Sequence, residues 1–134
     1  MIFLDSNILI YIFSDSEPDK QRRAREAIAA DACVTGTNNL NEMNHVLSRK
    51  KILPVPKLTE VMDTIHELAQ VKTVEISAMY EAVHLMNRYQ YSYFDALVIA
   101  MALQHGCDTL YSEDMQHGQV IDNKLTIRNI FLTT

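Results

Sequence analysis

Apolar and polar residues alternate in blocks along this chain, and the blocks predict strands and helices in turn. Ile2, Phe3 and Leu4 form a short unbroken apolar run, as in a strand buried on both faces, and Asp5 ends it. Asn7 to Phe13 predicts a short helix, Ser14 to Pro18 a loop, and Asp19 to Ala30 a second helix. Cys33 and Val34 centre a second strand that leads into a polar turn at Gly36 to Asn38. A helix is predicted from Asn39 to about Lys50, which places Glu42 near its first turn. Pro54 and Pro56 break the chain before an amphipathic helix over Leu58 to Ala69. Thr73 to Ile76 predicts a third strand, and Ser77 caps a helix from Ala78 to about Tyr89. Leu125 to Arg128 is expected as a last edge strand.

The stretch from Ser92 to Gln119 carries the strongest signal. Ser92 suits an N-cap, and Asp95 follows three residues later, in the position of a capping box. Phe94 to Leu103 is almost wholly apolar, so this helix is expected to be buried on most sides. Gly106 suits a left-handed closing residue. Thr109 to Tyr111 reads as a strand, with Ser112, Glu113 and Asp114 just past its end. Strands alternating with helices predict a three-layer α/β/α sandwich with a mainly parallel central sheet, built as a single domain over residues 1–134.

In such a sheet the C-terminal ends of strands and the N-terminal ends of helices share one edge, where ligands bind. Asp5 and Asp114 fall just past strand ends, and Glu42 and Asp95 near helix starts. The four acids are therefore expected to meet. One element fits poorly: the helix from Ala78 to Tyr89 is followed by so short a link that it is expected to pack across the sheet edge.

Crowded carboxylates repel one another and take up protons unless something compensates. A hard divalent cation does so, and Mg²⁺ is commonly held by one or two carboxylates with waters and substrate phosphates. Helix N-termini near Glu42 and Asp95 are expected to favour their ionised forms. A site of this kind suits hydrolysis of a phosphodiester, with Mg²⁺ or Mn²⁺ as cofactor.

Composition narrows the setting. With 48% hydrophobic residues and only 3 Gly and 3 Pro, the chain is globular. Its net charge of -5 argues against bulk attraction to nucleic acid, but not against an enzyme whose acids gather in one site. Lys20, Arg22, Arg23 and Arg25, and then Arg49, Lys50 and Lys51, read as solvated helix faces. Cys33 and Cys107 lack metal-type spacing and are expected as buried thiols in a reducing cytoplasm. Asp5 interrupts the apolar start, so neither a signal peptide nor a membrane span is expected.

Four segments resemble a known family. MIFLDSNILIYIF is similar to the opening strand of PIN-domain nucleases, which more often read Asp-Thr-Asn where this chain has Asp5, Ser6 and Asn7. NNLNEMNHVLSRKK resembles the helix that carries the family's glutamate, SYFDALVIAMAL the helix of its third acid, and LYSEDMQHGQVI its fourth-acid segment. With LTIRNIF near the end, the likeness spans essentially the whole chain and is nearest to VapC-type toxins of toxin–antitoxin pairs. The resemblance implies a metal-dependent endoribonuclease toxin acting on RNA of the tRNA or rRNA class. It assigns the catalytic and metal-binding acids to Asp5, Glu42, Asp95 and Asp114. Asp5 and Asp95 would be the primary ligands, with Asn7 and Ser112 supporting. Asp114 is preferred over its neighbour Glu113. It also implies a VapB-type antitoxin whose C-terminal segment covers the acidic groove. A homodimer is expected through the helices between Leu40 and Leu68. Two other readings stand beside it. One is an aspartyl-phosphate phosphatase with Asp5 as nucleophile, which lacks the second Asp that Asn7 replaces. The other is a non-catalytic RNA-binding or interaction module.

Overall fold

The computed structural model describes residues 1–132. It contains strands β1 (Ile2–Leu4), β2 (Cys33–Gly36), β3 (Gln70–Lys72), β4 (Thr109–Tyr111), β5 (Val120–Ile121) and β6 (Leu125–Arg128). The helices are α1 (Ser6–Phe13), α2 (Pro18–Ala30), α3 (Thr37–Arg49), α4 (Leu58–Leu68), α5 (Ile76–Tyr89) and α6 (Tyr93–Gln104), with one 3-10 turn at Val55–Lys57. The strands form a single sheet in the order β3-β2-β1-β4-β6-β5. All neighbours are parallel except β5 and β6.

Alternation along β1 builds the three layers. Successive side chains of a strand point to opposite faces. Phe3 joins Val34, Leu110 and Ile127 in a core that packs against α5 and α6. Ile2 and Leu4 face the other way, into a core with Ile8, Leu9, Met43, Leu47 and Ile65 from α1, α3 and α4. The expected α/β/α sandwich is therefore the observed one. Ala96 through Ala102 are all buried, as the apolar run in α6 requires.

Besides Leu125–Arg128, which forms β6 between β4 and β5 and not an edge strand, three expectations need correction. The third strand is Gln70–Lys72, not Thr73 to Ile76. It is one of the sheet's two edge strands, with β2 its one neighbour among the described residues, so it needs no continuous apolar run. Val74 instead gives its N–H to the Thr37 hydroxyl at 3.2 Å, and Glu75 occupies the N-cap position of α5. Ser77 is inside that helix, where its hydroxyl accepts from the Gln104 amide at 2.9 Å. Second, α5 does not lie across the sheet edge. Gln90 adopts a left-handed backbone (φ 65°) that closes α5 and lets the chain fold back, so α5 packs on α6. Third, α3 starts at Thr37, which puts Glu42 in its second turn, beyond the strongest part of the helix dipole.

Candidate active site

The strand order reverses at β1: β2 and β3 lie on one side of it, β4, β6 and β5 on the other. The crevice at the C-terminal ends of β1 and β4 is thus the switch point of the sheet, the usual place for a ligand in an open α/β fold. The two strand ends are tied together there, the Asp5 N–H donating to the Tyr111 carbonyl at 3.0 Å.

Asp5 occupies the floor of this crevice and is 6% exposed. Its Oδ1 accepts from the Ser6 N–H at 2.7 Å and from the Asn39 amide at 3.3 Å, and its Oδ2 accepts from the Ser112 hydroxyl at 2.7 Å. Three donors aimed at one carboxyl suit its ionised form. Burial nevertheless pushes its pKa up to about 6, against the opposing hydrogen bonds from Ser112 and Ser6, and the nearby charges of Glu42 and Asp95 add to the rise.

Asp95 lies in the first turn of α6, its N–H donating to the Ser92 hydroxyl at 3.4 Å, so the predicted cap is formed. Its carboxyl is also raised, first by burial and then by the charge of Asp114, against the Ser92 hydroxyl. The helix terminus therefore does not prevail at Asp95, contrary to the sequence expectation. Glu42 and Asp114 are exposed and line a groove of about 540 Å³ together with Asn7, Tyr11, Ser14, Ser16, Lys50 and Glu113. Electrostatics links all four acids, since Asp5 feels Glu42 and Asp95, and Asp95 feels Asp114. Among the described residues, no three acidic, histidine or cysteine side chains converge closely enough to enclose an ion by themselves.

The supporting residues are placed by hydrogen bonds. Asn7 donates to Asp114 Oδ2 at 3.2 Å and accepts from the Glu113 N–H at 3.2 Å. Ser112 is fully buried and also accepts from the Asp114 N–H at 3.3 Å. Of the two adjacent acids, Glu113 is taken up elsewhere: Lys20 pairs with its Oε2 at 2.6 Å, and the Tyr11 hydroxyl donates to its Oε1 at 2.7 Å. Partial burial alone would raise the Glu113 carboxyl, but Lys20 and Tyr11 outweigh it and hold it below its ordinary value.

Sequence reasoning missed two residues. Asn39 is 1% exposed and joins three elements. Its Nδ2 donates to Asp5 Oδ1 and, at 3.0 Å, to the Ser6 hydroxyl, while its Oδ1 accepts from the Gly36 N–H at 3.2 Å. A signal was present: Asn39 heads the buried stripe of Met43 and Leu47 on α3, where an apolar residue would be usual. Lys20 was read as part of a solvated face, and its pairing partner lies far away in sequence at Glu113. Cys33 and Cys107 are buried free thiols as expected, and burial raises both to about 11. Among the described residues, no helix is long and apolar enough to cross a membrane.

Comparison with known proteins agrees with the fold. No curated protein matches the sequence. Solved structures do match in fold. A toxin–antitoxin complex from Klebsiella pneumoniae superposes with a TM-score of 0.73 at 16% identity, covering 98% of each chain. VapC20 of Mycobacterium tuberculosis, a sarcin-ricin loop cleaving toxin, gives 0.70 at 18% identity, covering 85% of this chain and 90% of that one. VapBC2 from Rickettsia felis, bound to a DNA fragment from its promoter, gives 0.69 at 15% identity over 96% and 100%. The family model for the PIN domain matches residues 2–121, and this chain belongs to the PIN domain family.

Proposed function

We propose that this protein is a metal-dependent endoribonuclease toxin that hydrolyses RNA phosphodiester bonds and is neutralised by a cognate antitoxin. The observation that carries the reading is Asp5. A carboxyl sunk at the switch point, supplied with three donors and flanked by further acids, is arranged for a charge that the protein alone does not balance. All the surrounding ligand atoms are hard oxygens, which suits Mg²⁺ or Mn²⁺. The loose spacing of the acids is compatible with such an ion, because Mg²⁺ retains waters and needs only one or two carboxylates.

Asp5 and Asp95 would hold the cation, with Glu42 and Asp114 completing the site directly or through water. When bound, the ion would acidify water and offset charge on the departing oxygen. The protein's own residues do the rest. Ser112 and Asn39 fix the Asp5 carboxylate, Asn7 orients Asp114, and Glu42, exposed on the groove wall, can orient a water or take its proton. No side chain is needed as nucleophile, so cleavage should leave a 5′-phosphate and a 3′-hydroxyl.

The aspartyl-phosphate reading is disfavoured at Asn7, whose amide is engaged by Asp114 and Glu113 and has no proton to give as an acid. RNA of the tRNA or rRNA class is the substrate proposed, in keeping with the sarcin-ricin loop cleaved by VapC20. An antitoxin segment is supported by the surface next to the groove. Ile52 and Ser14 line the acidic groove, while their neighbours Leu53 and Phe13 line an adjoining, more apolar notch of about 310 Å³. A segment with apolar anchors and one cation would fill both. For the homodimer, the large exposed apolar side chains favour α5 and the start of α6 (Ile76, Met79, Tyr80, Val83, Phe94) over the expected Leu40 to Leu68 region.

The test is RNA cleavage by purified protein with Mg²⁺ or Mn²⁺, stopped by EDTA and abolished in Asp5→Asn and Asp95→Asn. Cleavage that persists without metal and in both variants would overturn the proposal.

A further inference from the structure

Two acids stand side by side at the end of β4, and both line the same groove. Their surroundings differ. Every polar atom of Glu113 is occupied: its N–H donates to Asn7 at 3.2 Å, its carbonyl accepts from the Asn129 amide at 3.4 Å, and its carboxylate takes Tyr11 and Lys20. Lys20 is itself fixed from three sides. It donates to the Tyr11 hydroxyl at 3.2 Å, and its ammonium lies 4.9 Å from the Tyr11 ring centre and 5.7 Å from that of Phe131. Tyr11 and Phe131 meet edge to face at 4.9 Å. Among the described residues, the Asp114 carboxylate has only the Asn7 amide, on Oδ2, while its N–H is taken by the Ser112 hydroxyl.

We propose that Lys20, acting with Tyr11, holds Glu113 out of the cation site, so that Asp114 alone serves it from this strand end. The inference rests on the reading of the four acids as a divalent-cation site. Glutamate is one methylene longer than aspartate, and from position 113 an unrestrained carboxylate on the groove wall could swing toward the ion. A further carboxylate raises affinity and shifts preference toward larger ions that accept more oxygen ligands, such as Ca²⁺. Lys20 is thus a positioning residue: it sets how many carboxylates reach the ion without touching the ion or the substrate.

The test is Mn²⁺ binding by calorimetry to the full-length protein, as wild type, Lys20→Met, Lys20→Arg, Glu113→Gln and Lys20→Met/Glu113→Gln. Lys20→Met should bind Mn²⁺ roughly tenfold more tightly, and Glu113→Gln in that background should remove the gain. Glu113→Gln alone should be within about twofold of wild type, and Lys20→Arg should resemble wild type. This non-additivity separates release of a ligand from a general change of field, which would make Glu113→Gln weaken binding equally in both backgrounds. Tyr11→Phe removes one hydroxyl and should shift affinity the same way by a smaller factor, even if Lys20→Met fails to fold. Unchanged or weaker binding in both Lys20→Met and Tyr11→Phe would overturn the inference while leaving the cation site standing. A wild-type protein that binds no Mn²⁺ would overturn the site and the inference together.

Discussion

The neighbouring ends of β1 and β4 carry the candidate site, and they are held by opposite means. At the end of β1, Asp5 is buried and fixed by neutral donors: an amide from Asn39, a hydroxyl from Ser112 and a backbone N–H. At the end of β4, Asp114 is exposed, and its loop is anchored through its neighbour by the ion pair of Lys20 and Glu113, whose side chains are 34% and 24% exposed. Neutral donors leave the Asp5 charge unbalanced, so that end favours a cation and weakens the metal-free fold. The ion pair cancels the Glu113 charge, so the other end is already balanced. On the proposed reading, one end accepts an ion and the other keeps a spare carboxylate away from it.

The largest effect expected from breaking this contrast is at Asp5. Asp5→Asn should lower RNA cleavage by at least about 10²–10³-fold, the range for loss of one preorganised electrostatic group. Its effect on stability should have the opposite sign. The Asp5 carboxyl is raised from 3.8 to about 6 in the folded protein, so the fold binds this proton more tightly than the unfolded chain does. In metal-free protein its contribution to stability is full below about pH 4, falls as pH rises toward 6, and is flat above. At neutral pH the penalty is about 3 kcal/mol. Asp5→Asn should therefore melt higher than wild type in EDTA at neutral pH, and the two should converge on acidification. Thermal melts across this range check it. A lower melting temperature for Asp5→Asn throughout would mean that the carboxyl is not under strain.

Asn39 should come next. Asn39→Leu removes one of the three donors to Asp5 and leaves the Gly36 N–H without its partner. Loss of such supporting hydrogen bonds typically costs about 10–100-fold in metal affinity or activity. The stranded buried groups should cost about 1–3 kcal/mol of stability. Urea unfolding and Mn²⁺ titration measure the two separately. Affinity unchanged in a destabilised Asn39→Leu would reduce Asn39 to a packing residue.

Most of this contrast could be read from the sequence, but only on one side. Asp5 was legible because it ends an apolar strand, and Asp95 because Ser92 caps the buried helix it starts. Asn7 and Ser112, each two positions from an acid (Asp5 and Asp114), came as supporting residues with the family resemblance. What escaped has a common cause: partners distant in sequence. Lys20 meets Glu113 only after α1 and α2 have folded over the sheet, and nothing local marks it among its basic neighbours. β3 escaped because an edge strand can be polar, and Gln70 and Lys72 carry no apolar rhythm. β5 escaped because two residues are too few for a pattern. Its turn at Asp122 and Asn123, both at positive φ (51° and 57°), did carry the residue types that favour such hairpins. The fold-back after α5 uses Gln90 in a conformation where glycine is the usual marker, so the sequence pointed away from it.

The smallest effect should separate the two strand ends most cleanly. Lys20→Met breaks a partly exposed ion pair, and pairs of that kind contribute about 0–1 kcal/mol. That small loss should depend on salt. Raising ionic strength from about 0.1 M to about 1 M shortens the screening length from ~10 Å to ~3 Å, so the gap between wild type and Lys20→Met should narrow. The gap between wild type and Asn39→Leu should not, because its cost lies in buried neutral groups that salt does not reach. Urea unfolding of the three proteins at both salt concentrations makes the comparison. If the Lys20→Met gap were large and indifferent to salt, the ion pair would be behaving as a buried structural element. The end of β4 would then be fixed in the same way as the end of β1, and the division of labour between them would be wrong.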